Sequence, residues 1–152
     1  MNWTDNEGRP MDEVRDLIDS LGLARHPEGG WYRETWRAAP AGSQRSAGTS
    51  ILFLLEARQR SHWHRVDATE LWIFQAGHAL TLSTADGDTD AISSIRLGAD
   101  VRAGEQPQHV IAPGQWQSAQ AGDGWCLVAC VVVPGFRFEG FELAPPGWEP
   151  GR

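Results

Sequence analysis

SHWHRVDATELWIFQAG, residues 61–77, is the stretch that decides the fold and the candidate site of this 152-residue chain. Side chains on a strand alternate between its two faces, so His62 and His64 are predicted to point the same way, with Cα atoms about 6.6 Å apart. A turn at 66–69 then leads into a second strand that begins with Glu70. If the two strands pair as a hairpin, Glu70 lies near His64, and the three side chains form a set able to hold a divalent metal.

The same residues also have an interpretation without a metal. His62 and His64 can line a polar groove while Glu70 forms an ion pair with Arg65 or another arginine. Spacing alone does not choose between the two, because a small-molecule pocket also needs a few polar groups on one wall. The stretch therefore predicts a polar site and leaves its chemistry open.

The composition bounds the class of protein. With 152 residues, 41% of them hydrophobic, the chain has the size of one domain with its own core, predicted to span residues 1–152. The net charge is -7, there is no lysine, and the arginines are scattered, which argues against nucleic acid or an anionic membrane as partner. The N-terminal stretch is polar and acidic, and no apolar run approaches the roughly 18 residues of a membrane span, so a soluble cytoplasmic protein is expected.

Periodicity predicts one helix followed by a series of short strands. Apolar residues recur at three- and four-residue steps over about 11–21, which indicates an amphipathic helix that ends at Gly22. Alternating or apolar segments separated by turn residues then predict strands at 31–37, 49–55, 70–75, 78–84, 92–97, 108–112, 115–120, 126–133 and 138–143. This pattern favours a mainly β fold, an antiparallel sandwich or barrel over about residues 30–144. Cys126 and Cys130 lie about 13 Å apart on a predicted strand, so buried free thiols are expected rather than a disulfide.

Several sequence blocks resemble one family, in order along the chain. They are HPEGGWYRETWR at 26–37, SILFLL at 50–55, the opening stretch at 61–77, APGQWQSA at 112–119 and VPGFRFEGFELA at 133–144. Together they are similar to the cupin superfamily, and more closely to its Cupin_5 (DUF985) subfamily, over about residues 11–148. The resemblance implies a double-stranded β-helix, the RmlC-like jelly-roll barrel of the cupins, with one N-terminal α-helix.

The resemblance also bears on the metal. In metallocupins three or four residues separate the second histidine of the first motif from its glutamate, whereas five separate His64 from Glu70. The second motif normally ends with a histidine three residues after its glycine, and this chain has Gln117 there, after Gly114. Glutamine is a weaker ligand than imidazole for zinc, iron or nickel. The expectation is therefore either no cofactor or a single divalent ion (Zn, Fe, Ni or Mn) on His62, His64 and Glu70.

A second chemistry needs no ion. The subfamily is similar in fold to the sugar-nucleotide epimerases of the cupin group, in which a histidine removes a proton next to a carbonyl and a tyrosine returns one. That similarity implies His64 as the base and Tyr32 as the candidate acid, with Glu34 on the same face of the strand at 31–37. Histidine suits the base role because its ordinary pKa is near neutrality, and a carboxylate such as Glu34 or Glu70 could orient it. Tyr32 can equally pack its ring in the core.

Aromatic residues around the two motifs indicate a cavity for a small molecule. The chain has eight tryptophans, and aromatic walls with a few polar groups are typical of such pockets. On the strand that begins at Glu70, Trp72 and Phe74 share the face of that carboxylate. The predicted ligand-binding residues are Phe53, Trp72, Phe74, Trp116 and Gln117. Small barrels also fill their interiors with large side chains, so part of this set is equally consistent with core packing.

Three functions are compatible with the sequence. They are an isomerase or epimerase-type enzyme that works by proton transfer, a metallocupin with oxygenase, isomerase or hydrolytic activity, and a non-catalytic protein that binds a small ligand. All three have a small molecule as partner. A homodimer is also expected, since cupins of this kind commonly pair through sheet edges and the strand at 31–37 is a suitable edge.

Overall fold

A computed structural model describes residues 12–40, 42 and 44–152 of the chain. This part of the molecule contains one α-helix, α1 (Glu13–Leu21), and two short 3-10 turns, Val101–Ala103 and Phe138–Gly140. The strands are β1 (Ala24–Arg25), β2 (Trp31–Arg37), β3 (Thr49–Leu55), β4 (Arg60–Val66), β5 (Thr69–Gly77), β6 (Leu80–Ala85), β7 (Ser93–Leu97), β8 (Gln108–Ile111), β9 (Trp116–Ala121), β10 (Cys126–Val133) and β11 (Phe141–Leu143).

The helix has a defined start and end. The Asp12 side chain accepts a hydrogen bond from the Arg15 backbone N–H at 3.3 Å, and Gly22 ends the helix in a left-handed conformation with φ of 64°. The predicted start at Met11 lies outside the described residues. The apolar side of α1 packs on the cluster around Leu54 through Val14, Ile18 and Leu21. Among the described residues, no helix is long and apolar enough to cross a membrane.

The strands form two antiparallel sheets. The six-stranded sheet has the order β1-β2-β3-β10-β5-β8, and the five-stranded sheet has the order β11-β4-β9-β6-β7. Most predicted strands lie within one or two residues of the observed ones, and those at 31–37, 49–55 and 126–133 coincide with them. The mainly β fold with one N-terminal helix is therefore confirmed.

The main core lies between the sheets. Its fully buried members include Phe53, Trp72, Leu80, Leu82 and Val128, which come from strands of both sheets. A smaller cluster packs Trp63 with Trp116 and the C-terminal Trp148. Cys126 and Cys130 are buried free thiols, as expected, and burial raises the pKa of Cys126 to about 12.

The predicted hairpin between the two strands of 61–77 is wrong. β4 pairs with β9 and β11, whereas β5 pairs with β10 and β8, so the chain passes from one sheet to the other after Val66. The crossing is fixed by Asp67, whose backbone N–H donates to Gly140 O at 3.0 Å and whose carboxylate binds Arg45. Glu70 consequently faces β4 from the opposite sheet.

Two further elements differ from the sequence prediction. The strand expected at 138–143 is a 3-10 turn followed by the short β11, because Gly140 packs closely on the Asp67 carboxylate and leaves no room for a side chain there. The two-residue β1 was not predicted, and it covers only the first two residues of β2. The outer edge of β2 from residue 33 onward has no paired strand among the described residues.

Candidate functional site

One end of the sandwich holds a cavity of about 350 Å³. Its walls come from Gly22, from β1 and the turn before β2, and from strands β2, β3, β4, β5 and β10. Phe136, Arg137, Phe138 and Phe141 complete them. Titratable side chains form its polar centre: His26, Glu28, His64 and Glu70. The apolar walls include Ile51, Val132, Phe136 and Phe141. This combination of apolar surface and a few converging polar groups is what a small-molecule site requires.

Glu28 and His64 form a buried ion pair in this cavity. The His64 Nε2 donates to Glu28 Oε2 at 2.9 Å, and its Nδ1 donates to the carbonyl oxygen of His62 at 2.7 Å. Both ring nitrogens face acceptors, so the imidazole is in its protonated form. Burial alone would lower the pKa of His64, but the carboxylates of Glu28 and Glu70 and the two hydrogen bonds raise it to about 9.

The turn at 26–30 places Glu28 against His64. His26 N–H donates to Gly30 O at 2.9 Å, and His62 N–H donates to Glu28 O at 2.7 Å, which ties the turn to β4. Gly29 has φ of 103°, and a Cβ at that position would collide with the backbone oxygen of Arg60. Only glycine allows the turn to lie this close to the backbone of β4. Gly30 also has a positive φ of 83°, so both glycines of HPEGG are needed for the turn that positions the Glu28 carboxylate.

Glu70 is the second buried carboxyl group. Its Oε2 accepts a hydrogen bond from Gln117 Nε2 at 3.0 Å, and Gln117 Oε1 in turn accepts one from Trp72 Nε1 at 2.8 Å. Burial raises the pKa of Glu70 to about 7; His64 acts against this shift and Glu28 adds to it. Glu70 is thus a carboxyl group that exchanges its proton near neutral pH.

His26 and Tyr32 stand beside the ion pair. Burial lowers the pKa of His26, and the charges of Glu28 and His64 act on it in opposite directions. Its Nδ1 accepts a hydrogen bond from the Glu28 backbone N–H at 3.2 Å, so the neutral ring carries its proton on Nε2. The His26 and Tyr32 rings meet edge to face with centroids 4.5 Å apart. Both side chains line the cavity, where they can offer hydrogen-bond donors to a ligand.

The chain is similar to known proteins in both sequence and fold. Residues 15–144 match the family model Cupin_5, described as Cupin superfamily (DUF985). The chain belongs to this family. Among solved structures it is similar to protein SO0799 from Shewanella oneidensis, with 40% identity, a TM-score of 0.80, and 88% of this chain and 85% of that chain covered.

Two further relatives are similar over most of their length. A hypothetical protein from Leishmania major is 31% identical with a TM-score of 0.77, covering 86% of each chain. The uncharacterized protein YML079W from Saccharomyces cerevisiae is 28% identical over 152 residues, covering 86% of this chain and 74% of that protein. Membership of the cupin family therefore establishes the fold. The chemistry of the protein has to be inferred from the residues that line its cavity.

His62 does not face the cupin cavity, contrary to the alternation expected for β4. Opposite β9 the strand carries a bulge, in which His62 and Trp63 together face the single residue Ser118. The extra residue shifts the alternation, so His62 no longer shares the face of His64. Its Nε2 lies 2.9 Å from the carbonyl oxygen of Pro145 instead.

The other predicted site residues divide into two groups. Tyr32, Glu34, His64 and Glu70 line the cavity, although Glu34 is bound by Arg37 through two hydrogen bonds of 2.9 and 2.8 Å and does not contact His64. The side chains expected to bind the ligand, Phe53, Trp72, Phe74, Trp116 and Gln117, do not line it. Phe53, Trp72 and Phe74 belong to the main core, and Trp116 packs in the smaller cluster.

The three predicted metal ligands are not brought together. His62 lies outside the cavity, and both ring nitrogens of His64 are engaged with oxygen acceptors. A metal needs a neutral imidazole nitrogen, and Gln117, at the position of the usual cupin histidine, is committed to Glu70 and Trp72. Within the described residues, no group of three or more His, Cys, Asp or Glu side chains is arranged to hold a metal ion. The donor groups of this cupin site therefore do not fit the metallocupin pattern.

Glu28 and His26 are the site residues that sequence reasoning missed. The pattern HPEGG by itself indicates only a turn. In the structure this turn holds the Glu28 carboxylate against His64 and places the His26 imidazole beside it. The available signal was the placement of two titratable residues in a turn made rigid by Pro27, Gly29 and Gly30. A turn fixed so firmly is a suitable support for functional groups.

Proposed function

We propose that this cupin is an enzyme of the isomerase or epimerase type, which moves a proton at a carbon next to a carbonyl group in a small molecule. The observation that carries the proposal is the 2.9 Å ion pair of Glu28 and His64, which shares a cavity with the buried carboxyl group of Glu70. Two carboxyl groups and an imidazole in one enclosed site provide the acid and base groups that such a reaction needs.

Stability does not account for these buried charges. The exposed fractions of the Glu28, His64 and Glu70 residues are 8%, 2% and 7%. Removing charges from water costs several kcal/mol each, and apolar residues of similar volume often stabilise a protein as well or better. Ionisable groups with strongly shifted pKa values in a cavity are typical of functional sites. The cluster is therefore best explained by chemistry.

The proposed roles follow from the protonation states. Glu70, with a pKa of about 7, accepts the proton from carbon, since a base works best when its pKa is near the working pH. The electron pair moves to the carbonyl oxygen, and the Nε2–H of His26 and the hydroxyl of Tyr32 donate hydrogen bonds to it. The His64 imidazolium, held by Glu28, supplies a positive charge beside the developing negative charge. In an isomerisation Glu70 returns its proton to the adjacent carbon. In an epimerisation Tyr32 donates its hydroxyl proton to the opposite face of the carbon, and Tyr32 and Glu70 then exchange protons with solvent to regain their starting states.

This scheme changes one role expected from the sequence. His64 was the expected base, but its two ring nitrogens already carry protons that are donated to Glu28 and to a backbone carbonyl. The base is therefore a carboxylate, and His64 is a fixed positive charge. Tyr32 keeps the role of a proton or hydrogen-bond donor.

Solvent exchange tests the proposal. The protein is incubated in D2O with a panel of aldoses, ketoses and 2-oxo acids, and deuterium incorporation next to the carbonyl is followed by NMR. At least one compound is expected to exchange faster than without protein, with a loss of about 100-fold or more in Glu70→Gln. Glu139→Gln, an exposed carboxyl residue outside this cavity, is the matched control and should retain the wild-type rate. Absence of exchange throughout, or equal exchange by Glu70→Gln, would contradict the enzymatic proposal and leave a ligand-binding protein.

A further inference from the structure

Three arginines surround the mouth of the cavity in an otherwise acidic protein. The chain has a net charge of -7, yet Arg33, Arg37 and Arg137 all line this one cavity. The His64 imidazolium adds a positive charge inside the cavity. The carboxylates of Glu28 and Glu34 line the same cavity as these four positive groups. Even with Glu70 counted as a carboxylate, four positive groups face three carboxylates around the cavity. A cavity walled by low-dielectric protein concentrates such a field.

The three guanidinium groups differ in their partners. Arg37 binds both carboxylate oxygens of Glu34, and Arg137 lies 3.4 Å from Asp67. Arg33 has no carboxylate partner among the described residues, and its side chain passes over Gly22 at the end of α1. A guanidinium group offers five donors in a fixed plane that matches carboxylate and phosphate oxygens. Among the described residues, Arg33 is thus the arginine at the mouth whose guanidinium group has no carboxylate partner and can bind an anion.

The volume of the cavity limits the size of the part of a ligand that lies inside it. About 350 Å³ corresponds to roughly a dozen water molecules at the density of the liquid. A ligand of about 10 to 16 non-hydrogen atoms fills such a space, which is the size of one monosaccharide with a single phosphate or carboxylate. Of a sugar attached to a nucleotide, the nucleoside part would lie outside the mouth of the cavity.

We infer that the ligand of this cavity is a small organic anion whose charged group is bound by Arg33 while its neutral, carbonyl-bearing part extends toward Glu70. The inference rests on the proposed function for the orientation of the carbonyl group. The charge preference depends only on the arginines at the mouth. Phosphate and carboxylate share the chemistry that Arg33 recognises, so the experiment has an arm for each.

The experiment measures binding of three matched probes by calorimetry at low salt and neutral pH. The probes are ribose 5-phosphate, ribonate and ribose, which share a carbon chain and differ in charge. We expect at least one of the two anions to bind about 10-fold or more tightly than ribose, and Arg33→Gln to remove that preference. Arg102→Gln is the matched control, because Arg102 is exposed on the 3-10 turn at Val101–Ala103 and does not line the cavity.

The outcomes separate the two proposals. Failure of both anions to bind more tightly than ribose, or unchanged anion binding in Arg33→Gln, overturns the inference. An equal loss in Arg102→Gln also overturns it, because the effect would then follow net charge and not the site. The deuterium exchange that tests the proposed function depends on Glu70, so exchange that persists while anion preference is absent removes only the inference about the anion.

Discussion

The imidazole of His64 donates from Nε2 to the carboxylate of Glu28 across 2.9 Å, and this contact joins the turn before β2 to the middle of β4. Glu28 is the foremost group that raises the pKa of His64, to about 9, against the effect of burial. In Glu28→Gln the pKa of His64 should fall to the ordinary imidazole value of about 6.5 or below it, because burial then acts with less opposition. NMR titration of the His64 ring measures it.

Glu34→Gln is the matched control for this titration. Glu34 lines the same cavity, but its carboxylate is bound to Arg37 and does not contact His64. The His64 pKa should remain near the wild-type value in this variant. A similar fall in both variants would mean that the general field of the cavity, and not the ion pair, sets the protonation state.

The shifted pKa also predicts how stability depends on pH. The folded protein holds the His64 proton up to a pKa of about 9, whereas an unfolded chain releases it near 6.5, so the folded state binds more protons between these values. This contribution is complete below about pH 6.5 and is lost as the pH rises through 9, at about 3 kcal/mol by linkage. Urea unfolding at pH 6 and pH 9 measures this decrease together with a smaller one from Glu70, whose pKa is also raised in the folded state, and Glu28→Gln should show a clearly smaller total decrease. A wild-type stability that rises over this interval would contradict the assignment.

Gly29→Ala tests whether the turn is built to hold Glu28. The new Cβ would collide with Arg60 O, and the φ of 103° is unfavourable for any L side chain. We expect destabilisation of about 2 kcal/mol or more, together with a lowered His64 pKa. Gly104→Ala is the control, because Gly104 has a φ of 87° but no atom lies within 4 Å of the place that a Cβ would occupy. Equal effects at the two sites would show that φ alone accounts for the loss.

Most strands could be predicted because the spacing of apolar and turn residues along the chain determines where a strand begins and ends. β2, β3 and β10 carry alternating or continuous apolar residues bounded by turn residues, and their limits match the sequence prediction. The site could be predicted only in part. His64 and Glu70 were found because their spacing is regular, but the bulge that turns His62 away depends on pairing with β9. Glu28 contacts His64 from a distant part of the chain, and the spacing of residues along the sequence does not predict such a contact.

Gln117→Leu tests the link between the core and Glu70. The leucine keeps most of the volume but leaves Trp72 Nε1 and Glu70 Oε2 without their partners. We expect a loss of about 1–3 kcal/mol in the free energy of unfolding and a further rise in the pKa of Glu70, since the Gln117 hydrogen bond lowers it. Chemical denaturation and NMR of the carboxyl carbon measure the two effects. Gln75→Leu, at an exposed position on β5, should change neither by more than a small amount.

The donor groups of the site also predict its behaviour toward metals. Protein purified without chelator should contain well under one divalent ion per chain by elemental analysis, because His64 and Gln117 are held by other partners. Added Mn²⁺ or Zn²⁺ should leave the His64 ring resonances unchanged at neutral pH. One ion per chain that is lost in His64→Ala would contradict this and support the metallocupin hypothesis.

The free edge of β2 predicts a homodimer. β1 covers only Trp31 and Tyr32, so the outer edge of the strand is unpaired from residue 33 among the described residues, and Trp36 on it is 53% exposed. An open edge with an exposed aromatic residue is suited to pairing with a second copy. Sedimentation at micromolar concentration should give the dimer mass for the wild type and the monomer mass for Trp36→Lys. Val110→Lys, on β8 at the opposite edge of the same sheet, should remain dimeric; a monomeric wild type, or dissociation by Val110→Lys alone, would reject this arrangement.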